Sequence, residues 1–565
     1  MRTLLLTTLS LAACAPKTLP YPLASPMWED TDRQPIPERP EEYWSGLIWD
    51  GADQMFFLPI ERGLSVQVGE PAANINAWDE VPNSSWFTNR LGVRSVSPEE
   101  MAMGPCTAEN MLDDPSIGWI VTGAKPNGLN PGFQIETEDG RKYLMKFDGL
   151  DQGPRATASD VIGSKLYWAA GYYAPCNQVV TFDRSRLSVD PEATWNDPWG
   201  VEHPLVWEDV ERVLEKTYVM DDGQFRGSAS AFVSGRPIGP WTYQGLREDD
   251  PNDIIRHEDR RDLRGSKLLS VWLNHFDSRE QNTLATFVTE DGSDAGYVRH
   301  YMLDFGDCLG SRWETSDEML SRRFGHSYYF DFTHVLEDTL SFGLVKREWD
   351  TVSTEDHPVW GTFDTTPLAP REYKGGYPNS AFMRMDDGDG AWMARIMGRF
   401  TDAHLSAIVD AAQLPNPEHA VEIEAILRGR LDTIVDEYLT TRSPLVDPVI
   451  DGNNVCALDL ASQAGLTEDT AYHANIYLPG SRTPAFSGPA DASGENGLCV
   501  DMSNRQRPSR GLPNNARERY LMVDLIAHPA SEEARPPLRL HLYDTPQGLV
   551  LAGIERPKDD RPPRL

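Results

Sequence analysis

No run of about 18 apolar residues occurs in the 565-residue chain, so no segment has the length to cross a bilayer as a helix. Positive charge is scarce: 52 Lys and Arg stand against 87 Asp and Glu, a formal charge of −35. A nucleic-acid binder needs cationic surface to displace counterions, and this balance excludes that class. Six cysteines are too few to staple a chain of this length. There is no G-x-S-x-G, so a hydrolase nucleophile elbow has no support. His300, His326, His334 and His357 show no zinc-ligand spacing. What is abundant is apolar material, at 40%, which suffices for a buried core and excludes wholesale disorder. The length suggests more than one domain, and 44 Gly with 43 Pro imply many loops.

Arg2 supplies a positive n-region, Leu4 to Leu11 a short apolar stretch, and Leu11-Ala12-Ala13-Cys14 follow. The run resembles a bacterial lipoprotein signal, in which the cysteine is lipidated and becomes the first mature residue. A secretory signal with an incidental cysteine is the plain alternative. Ala15, in place of Asp, resembles the sorting pattern that favours the outer membrane. The implied location is extracytoplasmic, with a lipid bilayer as partner through Cys14, and an oxidising compartment permits disulfides. Cys106, Cys176, Cys308, Cys456 and Cys499 then remain, an odd number. Cys456 with Cys499 is the preferred pair, since both lie in one C-terminal region.

Residues 1–13 read as signal, 14–45 as a Pro-rich tether and 46–117 as a loop-rich extension. Ile117–Thr122, Phe133–Thr137 and Lys142–Phe147 read as strands, the last two joined by an Asp139-Gly140 hairpin turn. A loop rich in Gly, Pro and Asn, Gly123 to Gly132, separates the first two. After Gly153-Pro154 a helix is expected, with Thr157 in a capping arrangement and Ile162, Leu166 and Ala169 on one face. A second helix should span Leu263 to Leu273, and Leu427, Leu431, Ile434 and Tyr438 mark a long third one. Leu538, Leu540 and Leu542 alternate with Arg539, His541 and Tyr543, as in a half-buried strand. The run Asp386-Asp387-Gly388-Asp389-Gly390 is read as a solvated turn, since Met397 stands where a calcium loop needs its last ligand.

Two short segments carry the chemistry. The first is His275-Phe276-Asp277-Ser278-Arg279-Glu280-Gln281-Asn282, and the second is Asp304-Phe305-Gly306. Between them Thr283–Val288 and Tyr297–Leu303 read as a hairpin turning at Asp291-Gly292-Ser293. Helix, H-x-D-x-x-x-x-N loop, hairpin and D-F-G follow in an order that resembles the catalytic core of the protein-kinase-like superfamily. Gly123-Ala124-Lys125-Pro126, Asp139 to Phe147 and the run Asp160 to Tyr172 are similar to HipA-type kinases, and secreted CotH-type kinases offer a second comparison.

The resemblance implies an α+β, two-lobed fold over residues 118–445, with a small β-rich N-lobe and a larger helical C-lobe. A small β-rich C-terminal domain would occupy 450–560. It implies Mg or Mn and ATP as cofactors, with Asn282 and Asp304 as metal ligands. Asp277 would accept the proton of, or orient, the attacking hydroxyl, and Lys146, paired with Asp160, would reach the phosphates. Gly123, Lys125 and Gly128 would lie over the phosphates. The sequence also departs from the pattern. Asp160 stands where Glu is usual and reads equally as a first-turn charge. A snorkelling strand lysine is the lesser alternative for Lys146. Pro131 removes a loop N–H, and no A-P-E-like segment follows Gly306.

The function expected is phosphoryl transfer to an unknown protein or glycan hydroxyl. Adenylyl transfer and an inactive, binding scaffold remain open alternatives. The anchor is checked directly: in a Gram-negative host, labelled palmitate should enter the wild-type chain and the membrane fraction should hold it. Cys14→Ser should abolish both.

Overall fold

The computed structural model describes residues 19–44, 47–64, 70–112, 114, 116–125, 130–150, 152–196, 201–290, 293–310, 322–352, 359–467, 469–492, 497–530 and 533–562. The signal, Cys14, Gly128 and the Asp291-Gly292 turn lie outside these. The chain divides into two compact units. The larger takes Met27–Asn76 and Glu80–Arg442. The smaller takes the chain from Ser443, with Ala77–Asp79 and the N-terminal residues to Pro26. No helix among the described residues is long and apolar enough to cross a membrane.

In the larger unit a six-stranded sheet is built from β1 (Trp119–Ala124), β2 (Gly132–Thr137), β3 (Lys142–Phe147), β4 (Asn177–Phe182), β5 (Leu187–Val189) and β8 (Phe225–Ala231). Its order is β4-β8-β3-β2-β1-β5, antiparallel except for β1 with β5. A small ribbon joins β6 (Thr194–Asn196) to β7 (Glu202–Pro204). Alternation decides the buried face: Trp119 and Val121, Phe133 and Ile135, Tyr143 and Met145 enter one apolar cluster. Cys106 and Cys176 form a disulfide that spacing alone did not suggest; Cys308 is free and buried.

The helix Arg155–Ala170 follows β3, as expected, but two details differ. Its first turn is capped from outside: Asp148 accepts from the Thr157 N–H at 3.0 Å and also takes the Thr157 hydroxyl. Thr157 is therefore the capped residue and not the cap. The helix also has no single apolar face, since every residue but Trp168 is buried. Ala156, Ala158, Gly163 and Ala169 keep it thin enough for neighbours on all sides. Gly171 ends it at φ 128°, where a Cβ would lie 2.1 Å from Phe87.

The second helix, Arg261–Leu273, buries Leu268, Val271 and Trp272 and stops at left-handed Asn274. The long helix Pro417–Leu439 braces it. Trp272 Nε1 donates to the Leu427 carbonyl at 2.8 Å, and Arg430 donates to the carbonyls of Val271 and Trp272. The sheet β11-β10-β9 comprises β9 (Arg236–Gly239), β10 (Thr283–Thr289) and β11 (Gly296–Met302). Asp386 starts a helix, Asp387–Met397, accepting from the N–H groups of Gly388 and Asp389. The solvated turn expected there is a helix N-terminus, with Asp389 buried between Arg261 and Arg264.

The tether reading fails from residue 19 onward. Asp32 is buried and accepts from the Ser85 N–H and hydroxyl, and Ile36 bridges to Gly296. Polar pairing, invisible to composition, holds this Pro-rich segment. Tyr21 packs on His541 at 4.5 Å and accepts from the Tyr543 hydroxyl at its carbonyl.

The smaller unit has two sheets. One runs β12-β13-β17-β16, from β12 (Leu445–Asp451), β13 (Asn454–Asp459), β16 (Asp491–Ala492) and β17 (Gly497–Asp501). The other runs β15-β14-β18-β19-β20, from β14 (Ala471–Tyr477), β15 (Phe486–Pro489), β18 (Tyr520–His528), β19 (Leu538–Thr545) and β20 (Gly548–Glu555). A single apolar cluster draws on both. Cys456 faces Cys499 across β13 and β17, and the expected disulfide is formed.

Strand β19 is buried on both faces, not one. Tyr21 covers His541, and Arg539 donates to Asp524 through two bonds of 2.8 and 2.9 Å. Removing Asp524 would leave Arg539 with Glu555, 3.8 Å away, and the Arg561 carbonyl. Asp524→Ala should therefore lower stability by at most about 3–5 kcal/mol in urea unfolding of the full chain.

Candidate active site

The site is assembled around one ammonium. Lys146 is the fifth residue of β3, flanked in register by Gly132 of β2 and Ser228 of β8. Its Nζ donates to Asp160 Oδ1 and Asp304 Oδ1, both at 3.0 Å. Asp160 is fully buried on the Arg155–Ala170 helix, and its second oxygen accepts from Ser228 Oγ at 2.6 Å. It is an ion-pair partner, so neither the first-turn charge nor the snorkelling lysine describes this pair. Burial opposes the Lys146 charge, but Asp160 and Asp304 outweigh it and raise the ammonium above its ordinary range. In return Lys146, against the cost of burial, holds the Asp304 carboxyl down at about 2.

A second group of contacts fixes the loop after the Arg261–Leu273 helix. Asn274, at φ 48°, turns the chain out of the helix. His275 is buried and bonded through Nδ1 to the Tyr167 hydroxyl at 3.0 Å; burial pushes its imidazole down to about 4, so it stays neutral. Asn282 Nδ2 donates to both the carbonyl and Oδ2 of Asp277, each at 2.8 Å. Arg279 Nε lies 2.9 Å from Asp277 Oδ1, its guanidinium 5.1 Å from the centre of the Tyr377 ring. Burial nevertheless dominates and lifts the Asp277 carboxyl to about 7, Arg279 pulling the other way. The Leu303 N–H donates to the Asn282 carbonyl at 2.9 Å, tying this loop to the residue before Asp304.

Phe305 joins the two halves. Asp304 is left-handed, at φ 57°, and leads into a short 3-10 turn, Phe305–Asp307. That turn drives Phe305 against Tyr167 at 4.9 Å and His275 at 5.7 Å. A Cβ on Gly163 would lie 2.6 Å from the Phe305 Cβ. Arg155, fully buried, donates to the carbonyls of Gly306, Cys308 and Gly310, so the start of the same helix holds the segment after Asp304.

Lys146, Asp160 and Asp304 thus come together, and Asp277 with Asn282 lies close enough for Asp304 and Asp307 to raise its carboxyl further. The proposed phosphate loop is less well served. Around Gly123 a Cβ would meet nothing closer than Gln134 at 3.8 Å, so its backbone makes no approach that demands glycine. The position that does is Gly132, where a Cβ would be 2.3 Å from the Met145 carbonyl and 3.1 Å from the Lys125 stem. Lys125 Nζ donates to the Asn130 carbonyl at 3.1 Å; burial lowers its ammonium, and Asp304 partly offsets this. Ser228, Arg279 and Asp307 were not singled out from the sequence. Asp307 adjoins the D-F-G motif and Arg279 lies inside the loop motif, so both were legible. Ser228 is placed only by strand register.

No family model matches the chain, and no curated protein does. Two solved structures of the Golgi casein kinase, one with Mn and ADP bound, are similar to it. They match over 60% and 62% of this chain and 81% and 83% of theirs, at 11% identity and TM-scores of 0.27 and 0.28. The case for function therefore rests on the residues themselves.

The donor set fits a hard divalent ion. Asn282 Oδ1 and Asp304 Oδ2 have no hydrogen-bond partner among the described residues, because Asn282 uses its amide nitrogen and Asp304 its other oxygen. No group of three or more His, Cys, Asp or Glu able to hold a metal occurs among those residues. An ion here would share its shell with substrate phosphates, the usual habit of Mg²⁺. The packing at Gly163 is directly testable. Alanine gains about 1 kcal/mol of helix propensity, but overpacking against Phe305 costs about 1–3 kcal/mol. Gly163→Ala should lower the thermal midpoint.

Proposed function

We propose that the chain is a phosphotransferase on a protein-kinase-like scaffold, lipid-anchored at Cys14 outside the cytoplasm. In this reading it moves the terminal phosphoryl group of ATP to an acceptor hydroxyl. The observation that carries this is Lys146 held between Asp160 and Asp304, beside the Asp277–Asn282 pair. Lys146 would neutralise phosphate oxygens. Asn282 and Asp304 would hold Mg²⁺ or Mn²⁺, whose charge offsets that of the phosphates. Asp277 would take the hydroxyl proton as the acceptor oxygen bonds to phosphorus and the bond to the leaving diphosphate breaks. A carboxylate poised at about 7 suits that task. In a chain of charge −35, an anionic substrate has to be met by local cations, and Lys125, Lys146 and Arg279 supply them.

A second reading is an inactive scaffold that binds an envelope partner. It is favoured by the internal pairing: Lys146 already has two carboxylates, and Asp277 already has Arg279 and Asn282. The experiment is nucleotide binding and phosphoryl transfer by the full chain with Mg²⁺ or Mn²⁺, beside Asp304→Ala. Transfer by the wild type that Asp304→Ala abolishes supports the enzyme. Equal signals, or none with either metal, support the scaffold.

If Asp277 is the proton acceptor, it must be ionised, so activity should rise with pH through about 7 and vanish in Asp277→Asn. The stability sign is opposite. A carboxyl raised from about 4 in the unfolded chain favours the folded state when protonated, and that contribution is lost as pH climbs from about 4 to 7.

A further inference from the structure

We propose that the cleft between strand β4, the Arg155–Ala170 helix and the short helix Pro98–Met103 binds an amphipathic monoanion. The ligand would be a carboxylate with an apolar body, seated on Lys165. The cleft has a volume of about 380 Å³, and its lining includes Met103, Met111, Leu112, Val180, Lys165 and Gln178. This volume suits a small molecule.

Lys165 is the anomaly that calls for a ligand. It is 4% exposed, and its ammonium makes a single hydrogen bond, to the Met103 carbonyl at 3.1 Å. An ammonium has three donors, so two are unspent. No carboxylate pairs with it among the described residues, and burial alone acts on the ammonium, lowering it to about 8. A buried charge normally has a partner. The chain also makes room for this one. Gly104, at φ 59°, sits where a Cβ would come within 2.8 Å of the Lys165 Cγ.

Of the other polar groups of the cleft, Thr181 and Gln413 carry no charge, and Gln178 and Arg186 are already engaged. Gln178 accepts from the Leu112 N–H and donates to the Asn110 carbonyl. Arg186 lies 4.1 Å over the Trp119 ring and donates to the carbonyls of Ile117 and Asp114. Two cations line the cleft, but Arg186 spends Nε and Nη2 on carbonyls and lies over Trp119, so Lys165 is the seat for a single anionic charge. A phosphate dianion would be left half compensated, with no free guanidinium fork to complete it. The apolar walls, with two pliable methionines, suit an alkyl or aryl body. Lys165 lies five residues beyond Asp160 on the same helix, but the site shares no residue with the nucleotide site, and its test stands apart from that reading.

The test is calorimetric titration of the full chain with sodium decanoate below its micellar concentration, beside 1-decanol and decyltrimethylammonium. Saturable decanoate binding, about tenfold or more tighter than decanol, is expected from a hydrogen-bonded ion pair. Lys165→Met, which keeps length and removes the charge, should erase that preference, and Lys165→Arg should keep it. Met111→Trp, which fills the cleft from its half-exposed wall, should abolish binding of both probes and decides the matter alone if Lys165→Met does not fold. Equal affinity for decanoate and decanol overturns the proposal. So does a preference that survives Lys165→Met, binding that survives Met111→Trp, or no saturable binding at all.

Discussion

Lys146 is pinned by two carboxylates from segments that the chain order keeps 158 and 14 residues away. A buried ammonium is tolerable only because Asp160 and Asp304 surround it, and a fully buried Asp160 is tolerable only because Lys146 and Ser228 answer it. The sheet, the buried helix and the turn after β11 meet at this point. Each of the three must be placed before the charges balance. That mutual dependence explains why the Arg155–Ala170 helix is buried on every side and built from small residues. It also explains why Phe305 is wedged against Gly163.

The same helix serves three purposes along its length. Arg155 holds the carbonyls after Asp304, Asp160 answers Lys146, and Lys165 lines a separate cleft beside β4. Charge on a buried helix is costly, so each charged residue needs a local answer. Arg155 is met by carbonyls and Asp160 by an ammonium, whereas Lys165 has one carbonyl and open space beside it. An acidic protein is thus not uniformly acidic where it matters. Three of its cations, Lys125, Lys146 and Arg279, stand at the candidate site.

Legibility followed locality. The strand Lys142–Phe147, the helices at 155–170 and 261–273, and the hairpin before Asp304 were readable because periodicity and turn chemistry act over a few residues. The motif order brought Asp277, Asn282 and Asp304 to notice for the same reason. What failed was decided by distant partners. Residues 19–44 looked like tether because Pro content says nothing of Ser85 waiting for Asp32, or of Tyr21 covering His541. Strand β19 looked half-buried because alternation cannot see Asp524 across from Arg539. Gly123 drew attention by type, while the close approach belongs to Gly132, where the neighbouring strand sets the distance.

By itself the sequence determined several of the strands and helices around the site, the acidic balance and the order of the motifs, and it pointed to the Cys456–Cys499 pairing. These rest on local propensity and on counting. Only the tertiary structure decided that Asp160 and not solvent answers Lys146, that Asp148 caps the helix in place of Thr157, that Cys106 meets Cys176, and that Lys165 is buried without a counter-charge. Those outcomes depend on separations of a few ångströms between residues far apart in the chain, and burial then converts each such distance into a charge state.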